Sequence, residues 1–226
     1  MVAAFRPGFF GACVSDIFRE IDEELRRDNL LKLWQRYGKY LIAVVVVVLV
    51  VAGGIVAWHD YRASERRAQA ARYATALGFV RDGKEAEAVS AFGSLAKEGG
   101  GYGLLAAFDQ AELLAKNGDR KGAIAAYDRL ASSSEIDPEF RDLAVLLSVM
   151  HALPDQDGKA AVERLKPLTA SGNPWRAPAL DLTAAAKLKS GDRDAAREIY
   201  QQLADDATAP QALRARAAEM AAALKS

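Results

Sequence analysis

The chain has 226 residues and equal numbers of acidic and basic side chains, 30 of each, for a formal net charge of +0. That balance argues against a nucleic-acid binder, because neutralising phosphates takes a basic surplus. A single cysteine, Cys13, excludes an intrachain disulfide, and two histidines in unlike settings, His59 and His151, leave no Cys/His zinc site.

Few aromatics and abundant alanine suit helices packed through small side chains, not β-sandwiches. No Asp/Glu cluster has the ligand spacing of a metal loop, so neither a metal nor a cofactor is expected. Residues 1–14 carry no periodic pattern and are expected to be disordered. A lipoprotein reading of FFGAC at 9–13 fails, because Arg6 and Pro7 interrupt the short stretch before Cys13. From Ser15 the sequence reads as a helix, with Ser15 as its N-cap and Asp16 at the positive end of the helix dipole. Ile17, Ile21 and Leu25 recur every four residues on one face. Such a helix suits a docking element for a partner, or an amphipathic helix lying at lipid headgroups.

From Tyr40 to Trp58 the chain reads YLIAVVVVVLVVAGGIVAW, 19 positions without a charge. As a helix this spans roughly 28 Å, close to the thickness of bilayer hydrocarbon. A lone valine-rich strand would leave its backbone polar groups unsatisfied in lipid, so a transmembrane helix is predicted. Tyr40 and Trp58 stand at its ends, where amphipathic rings favour the headgroup level. Gly53 and Gly54 permit close helix approach without forming a GxxxG pattern. The stretch begins too late and runs too long for a cleaved signal peptide. Five basic residues before the span (Arg26, Arg27, Lys32, Arg36, Lys39) face four after it (Arg62, Arg66, Arg67, Arg72). Charge alone therefore orients the chain weakly, and a signal-anchor with a cytoplasmic N-terminus fits it. The predicted organisation is a tail at 1–39, a transmembrane helix at 40–58 and a repeat domain at 59–226.

Three segments beyond the span align on a glycine: GKEAEAVSAFGSLA from Gly83, GDRKGAIAAYDRLA from Gly118 and GDRDAAREIYQQLA from Gly191. Five positions on stand Ala88, Ala123 and Ala196, and nine on stand Phe92, Tyr127 and Tyr200. Leu95-Ala96, Leu130-Ala131 and Leu203-Ala204 follow, while Ala76, Ala111 and Ala184 precede each glycine by seven. The first two glycines are 35 apart and the next gap is 73, which leaves room for a worn unit containing Ala161, Val162, Leu165 and Leu168. The period is that of a helix–turn–helix. Each glycine is expected to end a first helix in the left-handed conformation, and Asp119 and Asp192 to cap the second helices. One hairpin cannot bury its apolar face alone, so the units must stack. Gly99-Gly100-Gly101, Asp137-Pro138, Asn173-Pro174 and Pro210 punctuate the units, and Gln211–Leu224 reads as a capping helix.

This pattern resembles the tetratricopeptide repeat over roughly 70–205. It departs from the repeat at Arg72, Ala107 and Leu180, where that family often has tryptophan, and at Leu95, Leu130 and Leu203, where it often has a small residue. The fold class predicted is all-α: one N-terminal transmembrane helix followed by a tetratricopeptide-like α-solenoid. The whole layout, with its tail SDIFREIDEELRRDNLLKLWQRYGKYLIA, is similar to the bacterial family of the ancillary SecYEG translocon subunit. That resemblance implies a single-pass inner-membrane protein with a cytoplasmic N-terminus and periplasmic repeats. It also implies the SecYEG translocon and a membrane-anchored periplasmic chaperone of the peptidyl-prolyl isomerase class as partners.

In stacked hairpins the first helices line the concave surface, which points to Tyr73, Leu77 and Val80, then Phe108 and Glu112, then Asp181 and Leu188 as a partner groove. The same residues also suit packing between neighbouring units. The Gly-Asp-Arg triplets at 118–120 and 191–193 recur at the repeat period and read as turns with caps. The triple glycine lacks the Lys-Ser/Thr of a phosphate loop. Trp175 reads as a packing anchor between units or an exposed contact. His59 reads as an interfacial residue and His151 as a helix-end residue. No nucleophile–base pair, metal constellation or nucleotide loop is present, so no enzyme is expected. A scaffold linking the translocon to periplasmic chaperones is the leading function, with an adaptor for cell-division or envelope-assembly complexes as the alternative.

Overall fold

The computed structural model describes residues 12–225, and their side chains from residue 34 onward except Gln35. The expectations for residues 1–11, and for the side chains of Ser15, Asp16, Ile17, Ile21, Leu25, Arg26, Arg27 and Lys32, lie outside the described residues. All regular structure among the described residues is helical. The first helix, α1, runs over Ala12–Arg81. It starts three residues before Ser15, which is therefore inside the helix and does not cap it; nothing in Ala12–Val14 breaks a helix.

The chain divides into two compact units, Met1–Ser64 and Glu65–Ser226. In the first unit, α1 carries the apolar stretch with its side chains in the open: Val50 is 69% exposed and Leu49 65%. Among the described residues this is the one helix long and apolar enough to cross a membrane, with a mean hydropathy of 3.0 over its best window. Cations sit over the rings at its ends, Lys39 Nζ 5.2 Å from the Tyr40 ring and the Arg62 guanidinium 4.9 Å from Trp58.

The second unit is a run of antiparallel helix pairs. The end of α1 pairs with α2 (Glu85–Ala96), α3 (Gly100–Lys116) with α4 (Arg120–Ser132), and α7 (Arg176–Lys189) with α8 (Arg193–Asp205). Between them, α5 (Pro138–Ala152) pairs with α6 (Gly158–Leu165) and a 3₁₀ turn at Lys166–Thr169, and α9 (Gln211–Ala223) closes the stack.

The repeat residues build this packing. Ala76, Ala88, Ala111, Ala123, Ala184 and Ala196 are all fully buried, which lets paired backbones approach closely. Phe92, Tyr127 and Tyr200 are buried and fill the space that the alanines leave. Gly83, Gly118 and Gly191 have φ of 70°, 85° and 82°, a conformation in which a Cβ is strained. Asp119 Oδ1 accepts from Gly122 N at 2.9 Å and Asp192 Oδ1 from Ala195 N at 3.3 Å, capping α4 and α8. Lys84, the equivalent residue in the first pair, makes no side-chain cap.

The worn unit keeps the spatial plan with other residues. Gln156 stands where its neighbours have glycine, and Asp157 caps α6 by accepting from Lys159 N at 3.2 Å. Counted from Gln156, Val149 takes the alanine position of the first helix, Ala161 that of the second, and Leu165 the aromatic position; all three are fully buried. Pro167, which lacks an N–H, accompanies the tightening of the last turn to 3₁₀. Trp175 is a packing anchor: it lies against the core of Val149, Leu165 and Leu168, and its indole N–H donates to the Glu139 carbonyl at 2.8 Å.

Candidate protein-binding groove

The first helices of consecutive pairs carry the predicted groove residues in a shared register. Tyr73, Phe108 and Asp181 are equivalent, and Leu146 holds that position in the worn unit. Tyr73 packs its ring 5.6 Å from Phe92 and 5.7 Å from Tyr102, and Phe108 lies 6.1 Å from Tyr127. The Tyr73 ring thus packs in its own pair and against α3 of the next, the Phe108 ring packs in its own pair, and both stay partly exposed. The Tyr73 hydroxyl donates to the Asp109 carboxylate. Burial, reinforced by Asp109, pushes the Tyr73 pKa up to about 12, so the phenol stays a neutral donor near neutral pH.

Asp181 puts an acid where the other pairs have an apolar side chain. Its side chain is only 16% exposed, and Arg216 of α9 approaches to 3.3 Å. Burial pushes its carboxyl above the ordinary aspartate value, and Arg216 opposes that shift in part. Leu188 is half-buried against the core of the last pair, near Tyr200 and Leu203. Leu77, by contrast, is 40% exposed and Val80 39%.

Glu112 is the hub of a polar cluster. Lys116 Nζ lies 3.3 Å from it and His151 Nε2 3.6 Å. The His151 ring stacks on Tyr127 at 5.7 Å with planes 7° apart. Burial first, and then Glu112, raises the pKa of Tyr127. A second network joins α4, α5 and α6: the fully buried Ser148 donates to Asp128 at 2.6 Å, and Arg164 donates to both.

Around α3, between α2, α4 and α5, lies a groove of about 1500 Å³. Phe108 and Glu112 line it; Tyr73, Leu77, Val80, Asp181 and Leu188 do not. The structure thus gathers two of the seven predicted groove residues and spreads the rest along other parts of the unit. It adds Leu105 and Phe140, 50% and 40% exposed, at the groove itself, and Met150, 45% exposed, away from it. Sequence reasoning missed these three, although each is a large apolar residue beyond the alanine, aromatic and leucine set that stacking uses. His151 does stand in the last turn of α5, as expected of a helix-end residue, but its stacking on Tyr127 was not legible. Among the described residues no group of three His, Cys, Asp or Glu side chains is placed to hold a metal ion.

Comparison with known proteins agrees with this architecture. Two solved structures of Podosopora anserina putative kinesin light chain nearly identical TPR-like repeats superpose with a TM-score of 0.52 at 16% identity, covering 68% of this chain and 83% of that one. At that identity the likeness speaks for the fold alone. No curated protein matches the chain. Residues 32–222 match the model of the tetratricopeptide repeat-like domain, a repeat fold typical of protein–protein interaction scaffolds. The chain belongs to the tetratricopeptide repeat-like domain family.

Proposed function

We propose that this protein is a membrane-anchored scaffold that holds partner proteins beside the Sec translocon and links it to membrane-anchored periplasmic chaperones of the peptidyl-prolyl isomerase class. The carrying observation is the joining of an exposed apolar helix to a helical repeat unit on one chain. Nothing but lipid or protein suits the open valines between Tyr40 and Trp58. In this reading Tyr40 and Trp58 sit at the two headgroup layers of the bacterial inner membrane. The N-terminus is cytoplasmic and the repeats are periplasmic. The repeat unit supplies contact surface and no chemistry.

The test is site-specific photocrosslinking in intact cells, with the crosslinker at Leu105, Phe140 or Met150. Adducts with translocon subunits and with a membrane-anchored isomerase are the expected outcome. Adducts with septal or envelope-assembly proteins alone would replace this scaffold by a cell-division or envelope adaptor.

A further inference from the structure

The apolar stretch of α1 does not stop at Tyr40 on every side. Trp34, Tyr37 and Leu41 stand at i, i+3 and i+7, so one helix face stays aromatic or apolar for six residues before Tyr40. Trp34 is 58% exposed and Tyr37 55%. The Trp34 ring lies over Gly38, where an added Cβ would meet it at 3.3 Å, so the ring reaches toward the valines. Arg36 and Lys39 stand on the opposite face, both exposed. The Arg36 guanidinium lies 5.9 Å from the Tyr37 ring and Lys39 Nζ 5.2 Å from the Tyr40 ring.

No acid compensates these two cations. Neither is in an ion pair among the described residues. Between Asp28 and Asp60 the sequence has no Asp or Glu, and Lys32 adds a charge of the same sign. Asp28 is eight residues before Arg36, roughly 12 Å along a helix, which exceeds the Debye length of about 8–10 Å. At the other end of the stretch Arg62 has Asp60 two residues away.

We propose that Arg36 and Lys39 hold the phosphates of anionic phospholipids at this end of the span. They stand four residues and one residue before Tyr40, within about 6 Å of the edge of the uncharged stretch, which is headgroup depth. The neighbouring rings keep the cations at that depth, and the Trp34–Tyr37 face seats the helix in the interface. A zwitterionic headgroup carries its own cation beside the phosphate, so a net negative lipid gains more from the pair. This inference rests on the reading of residues 40–58 as a membrane span and names the lipid that one end of it selects.

The experiment uses the full chain in vesicles of phosphatidylcholine that contain a trace of spin-labelled phosphatidylglycerol or spin-labelled phosphatidylcholine. The fraction of each label slowed by the protein gives its relative association. Phosphatidylglycerol is expected to associate at least about threefold more strongly, with a preference that shrinks at high salt. Arg36→Gln/Lys39→Gln should bring the ratio close to one, while Arg62→Gln should leave it unchanged. The slowed phosphatidylcholine reports insertion of each variant independently of the preference. Equal association of both lipids with the wild type, a preference that survives the double variant, or one lost in Arg62→Gln alone would overturn the inference and leave the anchor standing. Absence of any slowed lipid would overturn the span itself, so the two failures are distinguishable.

Discussion

Among the described glycines, Gly158 has the closest backbone neighbour. A Cβ built there would meet the Ala186 carbonyl oxygen at 2.2 Å and Ser190 Oγ at 2.3 Å. Ser190 can rotate, but the carbonyl belongs to the backbone of α7 and cannot move without it. Gly158→Ala must therefore push α6 away from α7. Overpacking of this kind costs about 1–3 kcal/mol. For a domain of this size each kcal/mol lowers Tm by about 2–4 °C, so a fall of roughly 2–12 °C is expected. The assay is thermal unfolding of the full chain in detergent, followed by helical circular dichroism. Two companions make the result specific. Gly101→Ala, where nothing lies within 4 Å, should leave Tm unchanged or raise it by the equivalent of about 0.5–1 kcal/mol. Gly158→Ala combined with Ser190→Ala should stay destabilised, because the carbonyl clash remains. A wild-type Tm for Gly158→Ala, or full rescue by Ser190→Ala, would refute the close contact of α6 and α7.

Removing the caps with Asp119→Ala or Asp192→Ala should each cost about 0.5–2 kcal/mol in denaturant titrations, while Lys84→Asp, which supplies the cap missing from α2, should gain up to about 1 kcal/mol. Tyr127→Phe keeps the packing against Phe108 but removes the hydroxyl facing Glu112, so a loss of about 1 kcal/mol is expected, against about 3–5 kcal/mol for Tyr127→Ala. Asp181 gives a pH signature. Its folded pKa lies above its ordinary value of 3.8, so the folded state binds the proton more tightly than the unfolded state does. The stability linked to that proton is complete below the ordinary value and is lost as pH rises through the raised one. Asp181→Asn should therefore be at least as stable as the wild type at neutral pH, with the two converging in acid when Tm is measured across that window. A variant that is strongly destabilised at neutral pH would show that the pairing with Arg216 outweighs burial.

The repeat was legible because its geometry demands few residue types at fixed positions. Left-handed turns need glycine, close helix pairs need alanine, and the remaining volume needs one aromatic side chain per hairpin. Those demands recur at Gly83, Gly118 and Gly191 and are enough to specify stacked hairpins. The worn unit was readable only from its apolar residues. Val149 and Leu165 satisfy the same volume with other side chains, and Gln156 with Asp157 makes the turn without glycine. The groove was less legible, because the demands of packing and of binding fall on the same helix face. Tyr73 and Phe108 look alike in sequence, yet Phe108 lines the groove and Tyr73 does not. Asp181 attracted notice as a charge on the concave side, and its partner Arg216, 35 residues onward on the capping helix, could not be inferred from period alone. The polar clusters at Glu112 and Ser148 join three helices each, so no single segment announces them.

Protease added to intact spheroplasts reaches only what lies outside the inner membrane. The repeat unit is expected to be digested while an epitope fused to the N-terminus survives, joined to a fragment containing residues 40–58. Survival of the repeats with loss of the N-terminal epitope, or release of the whole chain by carbonate washing, would contradict that expectation.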